Sequence, residues 1–217
     1  MLVKAFCDGS AQPNPGIGTW GAVIYENEAV IARIGGYIGD KTTNNQAEYT
    51  ALIKTMEYIL SNPRFKNERV TICLDSELVV NQTMGISQCN NPTLKEYCQQ
   101  AQTLREKSMF MLNLIGGSHN EAHEIAEKAR ERYLKISDLQ ERIKRAEGLL
   151  NERYDFLKGL PAGEKRNEYE QGWVNALPKY EALCDEFKAL TGFPVWCKQL
   201  GKCDGCETKK RKECTGL

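Results

Sequence analysis

The sequence predicts a mixed α/β layer structure that is followed by a helical extension. In the first half of the chain, short apolar and β-branched runs alternate with turn residues and with stretches of helical spacing. From His119 onward, apolar residues recur every three or four positions instead. The chain has 217 residues, of which 41% are hydrophobic and 27% are charged. This composition is typical of a soluble globular protein, and the length predicts one domain of ordinary size plus an appendage.

Charge and targeting patterns narrow the class of protein. Lys plus Arg and Asp plus Glu both number 29, so the formal net charge is zero and any polyanion must be bound by local basic patches or metal ions. No run of about 18 apolar residues is present, so we expect no membrane span. The N-terminus lacks the pattern of a signal segment, so we expect a cytoplasmic protein with reduced thiols.

The N-terminal elements are predicted by turns and periodicity. Short turns favour an antiparallel meander of three strands. These strands are expected at residues 2–8, 18–25 and 30–38. A helix is expected from residues 42–45, because apolar residues then recur at helical spacing until Asn62-Pro63 ends the run.

The next elements complete a βββαβααβα order. A β-branched run predicts a fourth strand at residues 69–75, and Ser76 begins a short helix that stops near Gly85. Asn91-Pro92 opens a further helix to about Lys107, and a fifth strand follows at residues 109–115. Together these elements predict a mixed α/β layer structure.

The extension predicts an antiparallel helical hairpin. A long amphipathic helix runs on to about Leu157, residues 159–163 form a break, and a second helical stretch has Pro178 at a helix start and Gly192 at its end. The apolar seam of the long helix must pack against another surface. This surface can be the second helical stretch, a second copy of the chain or another protein. We therefore divide the chain into residues 1–130, 131–192 and 193–217.

Three acidic residues carry the functional prediction. Asp8 ends the first strand, Asp75 ends the fourth, and Glu48 lies in the first turns of the helix between them. If the two strands are neighbours, the three side chains converge and repel one another unless a cation neutralises them. Carboxylate oxygens suit Mg²⁺ or Mn²⁺, and two such ions can activate water and stabilise the leaving oxygen of a phosphodiester.

The stretches CDGSAQPNPGIGTWG, TTNNQAEYTAL and LDSELVVNQ resemble, in the same order, the three sequence blocks of type 1 ribonuclease H. The resemblance covers roughly residues 1–130. It implies a ribonuclease H-like, five-stranded mixed sheet in the order 3-2-1-4-5 with flanking helices. It also implies endonucleolytic hydrolysis of the RNA strand of RNA–DNA hybrids by a two-metal-ion mechanism, which leaves 5′-phosphate ends.

The resemblance also implies roles for individual residues. Asp8, Glu48 and Asp75 match carboxylates that bind the two Mg²⁺ or Mn²⁺ ions, and Thr43 matches a position near the DNA-strand phosphate. Amide side chains can read the 2′-hydroxyls of RNA in a wide minor groove. The remaining positions that meet the hybrid are Gly9, Ser10, Asn14, Asn44, Asn45 and Gln46.

The chain departs from the family pattern at its fourth acidic position. The family has Ala-Asp-x-Leu-Ala, and in residues 118–126 His123 stands where this Asp is expected. An imidazole can bind a divalent ion and suits Mn²⁺ better than Mg²⁺, so we predict His123 as a ligand of the second ion. The alternative is a lost ligand. His119 can assist leaving-group protonation or act as a cap, and Glu121 or Glu124 can bind metal instead.

Cysteines crowd the C-terminal residues. Four of them have a spacing that predicts a structural Zn²⁺ site, with an iron–sulfur cluster and free or disulfide-linked thiols as the alternatives. These are Cys197, Cys203, Cys206 and Cys214. Lysines between these cysteines can bind phosphates. They could replace the basic protrusion of some family members, which residues 85–94 lack.

Two rival functions remain open at this stage. A non-catalytic module that binds hybrid or other nucleic acid would follow if His123 marks a decayed site. A DNA nuclease or junction resolvase on the same fold is the other, and the Asn44-Asn45 pair argues against it.

Overall fold

The computed structural model describes residues 2–66 and 68–192, and the chain divides into two compact units between Tyr133 and Leu134. The strands are β1 (Val3–Gln12), β2 (Gly16–Glu26), β3 (Ala29–Thr42), β4 (Val70–Leu74) and β5 (Phe110–Leu114). The helices are α1 (Asn44–Ser61), α2 (Glu77–Thr83), α3 (Pro92–Glu106), α4 (His123–Gly159), α5 (Glu164–Val174) and α6 (Leu177–Thr191). Within the described ranges, no helix is both long and apolar enough to cross a membrane.

The five strands form one mixed sheet in the order β3-β2-β1-β4-β5, so the predicted fold class is confirmed. β1, β2 and β3 form the expected antiparallel meander, whereas β4 pairs parallel to β1 and β5 pairs parallel to β4. The main core lies between this sheet and its helices. Leu52 and Met56 of α1 are fully buried there with Ile72 of β4.

The first strand is longer than the sequence suggested. The predicted first strand ends at Asp8, but β1 continues to Gln12, opposite Ile17 of β2. Pairing with β4 ends earlier, at Phe6 and Cys73. Asp8 therefore lies where β1 loses one neighbour and keeps the other, rather than at the strand's end.

The second unit consists of the C-terminal part of α4 together with α5 and α6. Leu139, Ile143 and Leu150 of α4 form its core with Tyr180 and Phe187 of α6. The helices run antiparallel to α4, since Lys135 pairs with Glu186 at 3.8 Å whereas the Trp173 indole donates to the Leu150 carbonyl at 3.3 Å.

The second helical stretch is two helices rather than one, separated at Asn175 and Ala176. Pro178 lies in the first turn of α6 as expected. Gly192 caps the end of α6 at a φ of 81°, which is a left-handed conformation that favours glycine.

Candidate active site

Three acidic side chains converge on one point beside the central strands. Asp8 comes from β1, Asp75 directly follows the parallel neighbour β4, and Glu48 lies one turn into α1. One carboxylate oxygen from each lies within 4.8 Å of the others. The structure therefore brings together the three acids that the sequence singled out, in the way that parallel pairing of β1 with β4 requires.

Gly9 allows this convergence. A Cβ built at Gly9 would overlap the backbone of Ala47 and Glu48, so only glycine lets the first turns of α1 lie directly on β1. A second glycine, Gly117, supports the other side, because its Cβ would lie 2.9 Å from Asp75 Oδ2. The approach of α1 to β1 and the space for the Asp75 carboxylate thus both depend on residues without a Cβ.

The cluster is electrostatically strained. Burial, with repulsion from Asp8 and Asp75, raises the pKa of Glu48 from its ordinary value of 4.5 to about 8. Burial also raises the pKa of Asp8, and the hydrogen bond from His123 acts in the opposite direction. A group of acids with raised pKa values favours a cation that would stabilise their ionised forms.

The donor set fits a small divalent ion. Glu48 Oε2 is buried and has no hydrogen-bond partner among the described residues, so this oxygen is available to bind a cation. The donors are all hard oxygen atoms of the kind that Mg²⁺ and Mn²⁺ prefer.

His123 begins α4 and meets the cluster from one side. Its Nδ1 lies 3.0 Å from Asp8 Oδ2, and its Nε2 lies 3.5 Å from Glu127 Oε1. His123 is not part of the group formed by Asp8, Glu48 and Asp75. It is therefore placed to bind an ion together with Asp8, but not an ion that all three acids contact.

The alternative residues of this segment point elsewhere. Glu121 accepts a hydrogen bond from the Tyr25 hydroxyl, and Glu124 forms an ion pair with Lys128 at 2.6 Å. His119 lies exposed in a short 3-10 turn, with its Nδ1 3.1 Å from the Ser118 hydroxyl. His123 is thus the one residue of these four whose contact with the acidic cluster is seen.

Asn120 is a residue to which the sequence assigned no role. It is buried, and its Nδ2 donates to Asp75 Oδ1 at 3.0 Å and to the Cys7 carbonyl at 2.9 Å. Its Oδ1 accepts from the Ala122 amide at 3.2 Å. Asn120 therefore ties the start of α4 to both strands that carry the acids. The only sequence signal was an amide residue three positions before His123.

A polar pocket of about 300 Å³ adjoins the start of α1. Asn14 and Asn44 are joined there, because the Asn44 amide donates to Asn14 Oδ1 at 3.2 Å. Asn44 Oδ1 in turn accepts from the Ala11 amide at 2.8 Å. The pocket is lined by Asn14, Thr43, Asn44, Asn45, Asn91, Thr93 and Leu94.

Thr43 and Gln46, which the resemblance places at the hybrid, also stabilise the start of α1. They form a capping box, in which the Thr43 hydroxyl accepts from the Gln46 amide and Gln46 Oε1 accepts from the Thr43 amide. Asn91, which the sequence suggested only as a helix start, caps α3 and also lines the polar pocket. Ser10 lies half-buried on β1 opposite Thr19.

Comparison with known proteins agrees with this geometry. The family model described as RNase H matches residues 2–135. The curated ribonuclease HI of Halobacterium salinarum is 34% identical over 47% of this chain and 50% of its own length. The ribonuclease H of Francisella philomiragia is 40% identical over 40% of this chain and 50% of its own length. The chain thus spans about half the length of the curated relatives that it matches.

Solved structures extend the likeness to the whole first unit. The crystal structure of LC11-RNase H1 in complex with an RNA/DNA hybrid has a TM-score of 0.56 at 29% identity, covering 61% of this chain and 99% of that chain. RNase H1 from the halophilic archaeon Halobacterium salinarum has a TM-score of 0.55 at 30% identity, covering 60% and 98%. With its sheet order and its family match over residues 2–135, the chain belongs to the ribonuclease H family.

Proposed function

We propose that this protein hydrolyses the RNA strand of RNA–DNA hybrids endonucleolytically and leaves 5′-phosphate ends. The observation that carries the proposal is the convergence of Asp8, Glu48 and Asp75 within 4.8 Å, with a buried oxygen of Glu48 that no described residue contacts by a hydrogen bond. The family match supports it, and so does the likeness to a ribonuclease H1 that was crystallised with an RNA/DNA hybrid.

Asp8, Glu48 and Asp75 would hold divalent cations, and His123 would complete the ligands on the side of Asp8. When bound, two Mg²⁺ or Mn²⁺ ions would promote deprotonation of the attacking water and stabilise the charge that develops on the phosphate and the leaving 3′-oxygen. The imidazole of His123 favours Mn²⁺ over Mg²⁺ in this role, because it is a softer ligand than the carboxylate that the family has at this position.

The remaining residues position the substrate and the acids. Asn14, Asn44 and Asn45 carry exposed amide groups that suit 2′-hydroxyls and base edges in the minor groove. Thr43 lines the same polar pocket, where its hydroxyl would suit a DNA-strand phosphate. The Gly9 and Ser10 backbone and the amide of Gln46 would border the RNA strand. Asn120 keeps Asp75 oriented through its hydrogen bond.

For the rest of the chain we propose a supporting role. Residues 1–130 would form the catalytic domain, 131–192 a helical hairpin that sets a distance or pairs with a partner, and 193–217 a basic tail. The four cysteines Cys197, Cys203, Cys206 and Cys214 lie outside the described residues. We propose that they bind a structural Zn²⁺, and metal analysis of the purified protein tests this directly.

Cleavage of end-labelled duplexes tests the main proposal. We expect cleavage of the RNA strand in an RNA–DNA hybrid, none in RNA–RNA or DNA–DNA duplexes, and higher activity in Mn²⁺ than in Mg²⁺. The variant Asp8→Asn serves as the inactive control. Cleavage of all-DNA duplexes would instead support a DNA nuclease.

The replacement of the family's fourth acid by His123 favours one alternative, a module that binds the hybrid without cleaving it. The same assay distinguishes the two functions. Tight hybrid binding with no product in either metal would establish the binding module and reject the nuclease.

A further inference from the structure

We infer that Glu127 is a positioning residue that competes with Asp8 for the proton of the His123 imidazole and so favours the tautomer able to bind a metal ion through Nδ1. This inference deepens the proposed function, since it concerns the ion that His123 and Asp8 would share. Its starting point is that His123 has a carboxylate at each of its two ring nitrogens. Asp8 Oδ2 lies 3.0 Å from Nδ1, and Glu127 Oε1 lies 3.5 Å from Nε2.

The two carboxylates favour opposite tautomers. A neutral imidazole carries one proton, and each carboxylate attracts that proton to the nitrogen beside it. Asp8 alone would draw the proton to Nδ1, where it blocks the lone pair that a metal needs. Glu127 draws it to Nε2 and leaves Nδ1 free to act as a ligand.

The helix fixes this arrangement. Glu127 lies four residues after His123 in α4, the separation that places two side chains on the same helical face. The distance of 3.5 Å is longer than a direct N–H···O bond, and the Glu127 side chain is 49% exposed. A small rotation of this exposed side chain would bring Glu127 Oε1 within hydrogen-bond distance of Nε2.

A carboxylate in this position matters only because the ligand is a histidine. An aspartate at residue 123 has no ring nitrogen, so its metal-binding form does not depend on a tautomer. The His123–Glu127 pair therefore acts as a unit in this chain, and Glu127 would be dispensable in a variant that restores the acid by His123→Asp.

The first test measures the tautomer without any metal. In ¹⁵N-labelled, metal-free protein at a pH above the ordinary histidine range, long-range ¹H–¹⁵N spectra report which ring nitrogen carries the proton. The sequence has two histidines, so the variant His119→Asn assigns both rings. We expect Glu127→Ala to shift His123 toward the Nδ1-protonated form and Glu127→Gln to shift it less, because an amide oxygen still accepts. Glu131→Ala, one turn further along α4, is the matched control and should leave the tautomer unchanged.

The second test measures Mn²⁺ affinity through the electron paramagnetic resonance signal of free Mn²⁺. Removing a carboxylate that orients a ligand weakens binding by about tenfold at the low end of the usual range, which we expect for the exposed Glu127. In the double variant of His123→Ala and Glu127→Ala, the loss should equal that of His123→Ala alone, because Glu127 acts only through His123.

Two outcomes would overturn the inference. One is a Glu127→Ala variant that matches Glu131→Ala in both tautomer and affinity. The other is an additive loss in the double variant with an unchanged tautomer, which would make Glu127 a direct ligand. Neither measurement depends on cleavage, so a protein that failed to cut hybrids would reject the proposed function and leave this inference standing.

Discussion

The two units of this chain are stabilised in different ways. In the first unit, a sheet and its helices bury a large core, and this core holds a cluster of acids in a repulsive arrangement. In the second unit, one apolar seam joins α4 to α6, and many charged residues on the other faces pair within one helix, as Arg145 does with Glu141 at 2.9 Å. Such exposed pairs contribute little to stability.

The first unit contains a destabilising group of side chains, and the second unit does not show one among its described residues. Glu48 has a buried oxygen that has no hydrogen-bond partner in the described part of the chain, and its raised pKa indicates that the folded protein destabilises the ionised carboxylate. The first unit tolerates this because its core is large. In the second unit, most acids of the described helices are exposed, and no comparable acidic cluster is seen among the described residues. Strain at a site of this kind is expected where a ligand supplies the missing interaction.

The largest expected effect comes from removing one acid of the cluster. Asp8→Asn should lower hybrid cleavage by about a thousandfold or more, because it removes a charge that holds the cations. The same change should raise the melting temperature of the metal-free protein, because it relieves repulsion with Glu48 and Asp75. Both are measured on one preparation, by cleavage assay and by thermal denaturation.

Asp138→Asn provides the control for this prediction. Asp138 is exposed on α4 and pairs with Arg142 at 3.4 Å, so its loss should change neither activity nor stability measurably. An Asp8→Asn protein that cleaves at the normal rate would reject the assignment of the site.

The next effect tests whether the two units are independent. Leu139→Ala removes a side chain that is 1% exposed in the core of the second unit and should destabilise that unit by about 2–4 kcal/mol. Leu149→Ala, on the same helix at 57% exposure, should cost less than about 0.5 kcal/mol. Thermal unfolding monitored by circular dichroism would show an early transition for Leu139→Ala, with cleavage unchanged below it. A parallel loss of cleavage would show that the first unit needs the second.

The fold could be predicted from the sequence because the residues that begin and end its helices act locally. Asn62-Pro63 and Asn91-Pro92 end or begin helices through their own backbone chemistry, and the helical spacing in the extension is a pattern of nearby residues. The length of β1 was missed for the opposite reason. Gly9 looks like a break, but it is required by α1, whose backbone lies against it.

The site was predicted as far as its residue types are distinctive. The three acids stood out because each lies in a recognisable sequence block. Asn120 and Asn91 did not, because an asparagine near a turn or helix start usually serves local structure. Their roles come from partners far away in sequence, as in the hydrogen bond from Asn120 to Asp75. The contact of His123 with Glu127 was missed for a different reason, because a separation of four residues places both on one helical face but does not say which ring nitrogen lies beside Glu127.

A smaller effect concerns the pH dependence of stability. The pKa of Glu48 is about 8 in the folded protein against an ordinary 4.5, so the folded state binds a proton that the unfolded state releases in this interval. Stability of the metal-free protein should therefore fall as the pH rises from about 5 to 8, by roughly 3–4 kcal/mol. Urea denaturation at several pH values measures the slope.

Two changes should flatten this slope. Glu48→Gln removes the titrating group, and saturating Mn²⁺ stabilises the ionised carboxylate. If the slope persisted in Glu48→Gln, the strain that distinguishes the first unit would have to come from another group.

The smallest effect concerns the caps of the helices. The first unit fixes the start of α1 with the capping box of Thr43 and Gln46, whereas among the side chains that the structure describes none caps α5 or α6. Thr43→Val keeps the shape of the side chain and removes its hydroxyl, so it should cost about 1 kcal/mol of unfolding free energy. Thr50→Val is the control, because the Thr50 hydroxyl also bonds within α1, to the Gln46 carbonyl at 2.7 Å, but caps no helix end.

Because Thr43 also lines the polar pocket, Thr43→Val should in addition weaken hybrid binding, which is measured in a catalytically inactive Asp8→Asn background. A loss of stability without a loss of affinity would show that Thr43 only holds the helix that carries Glu48, and that the asparagines around it are sufficient to bind the substrate.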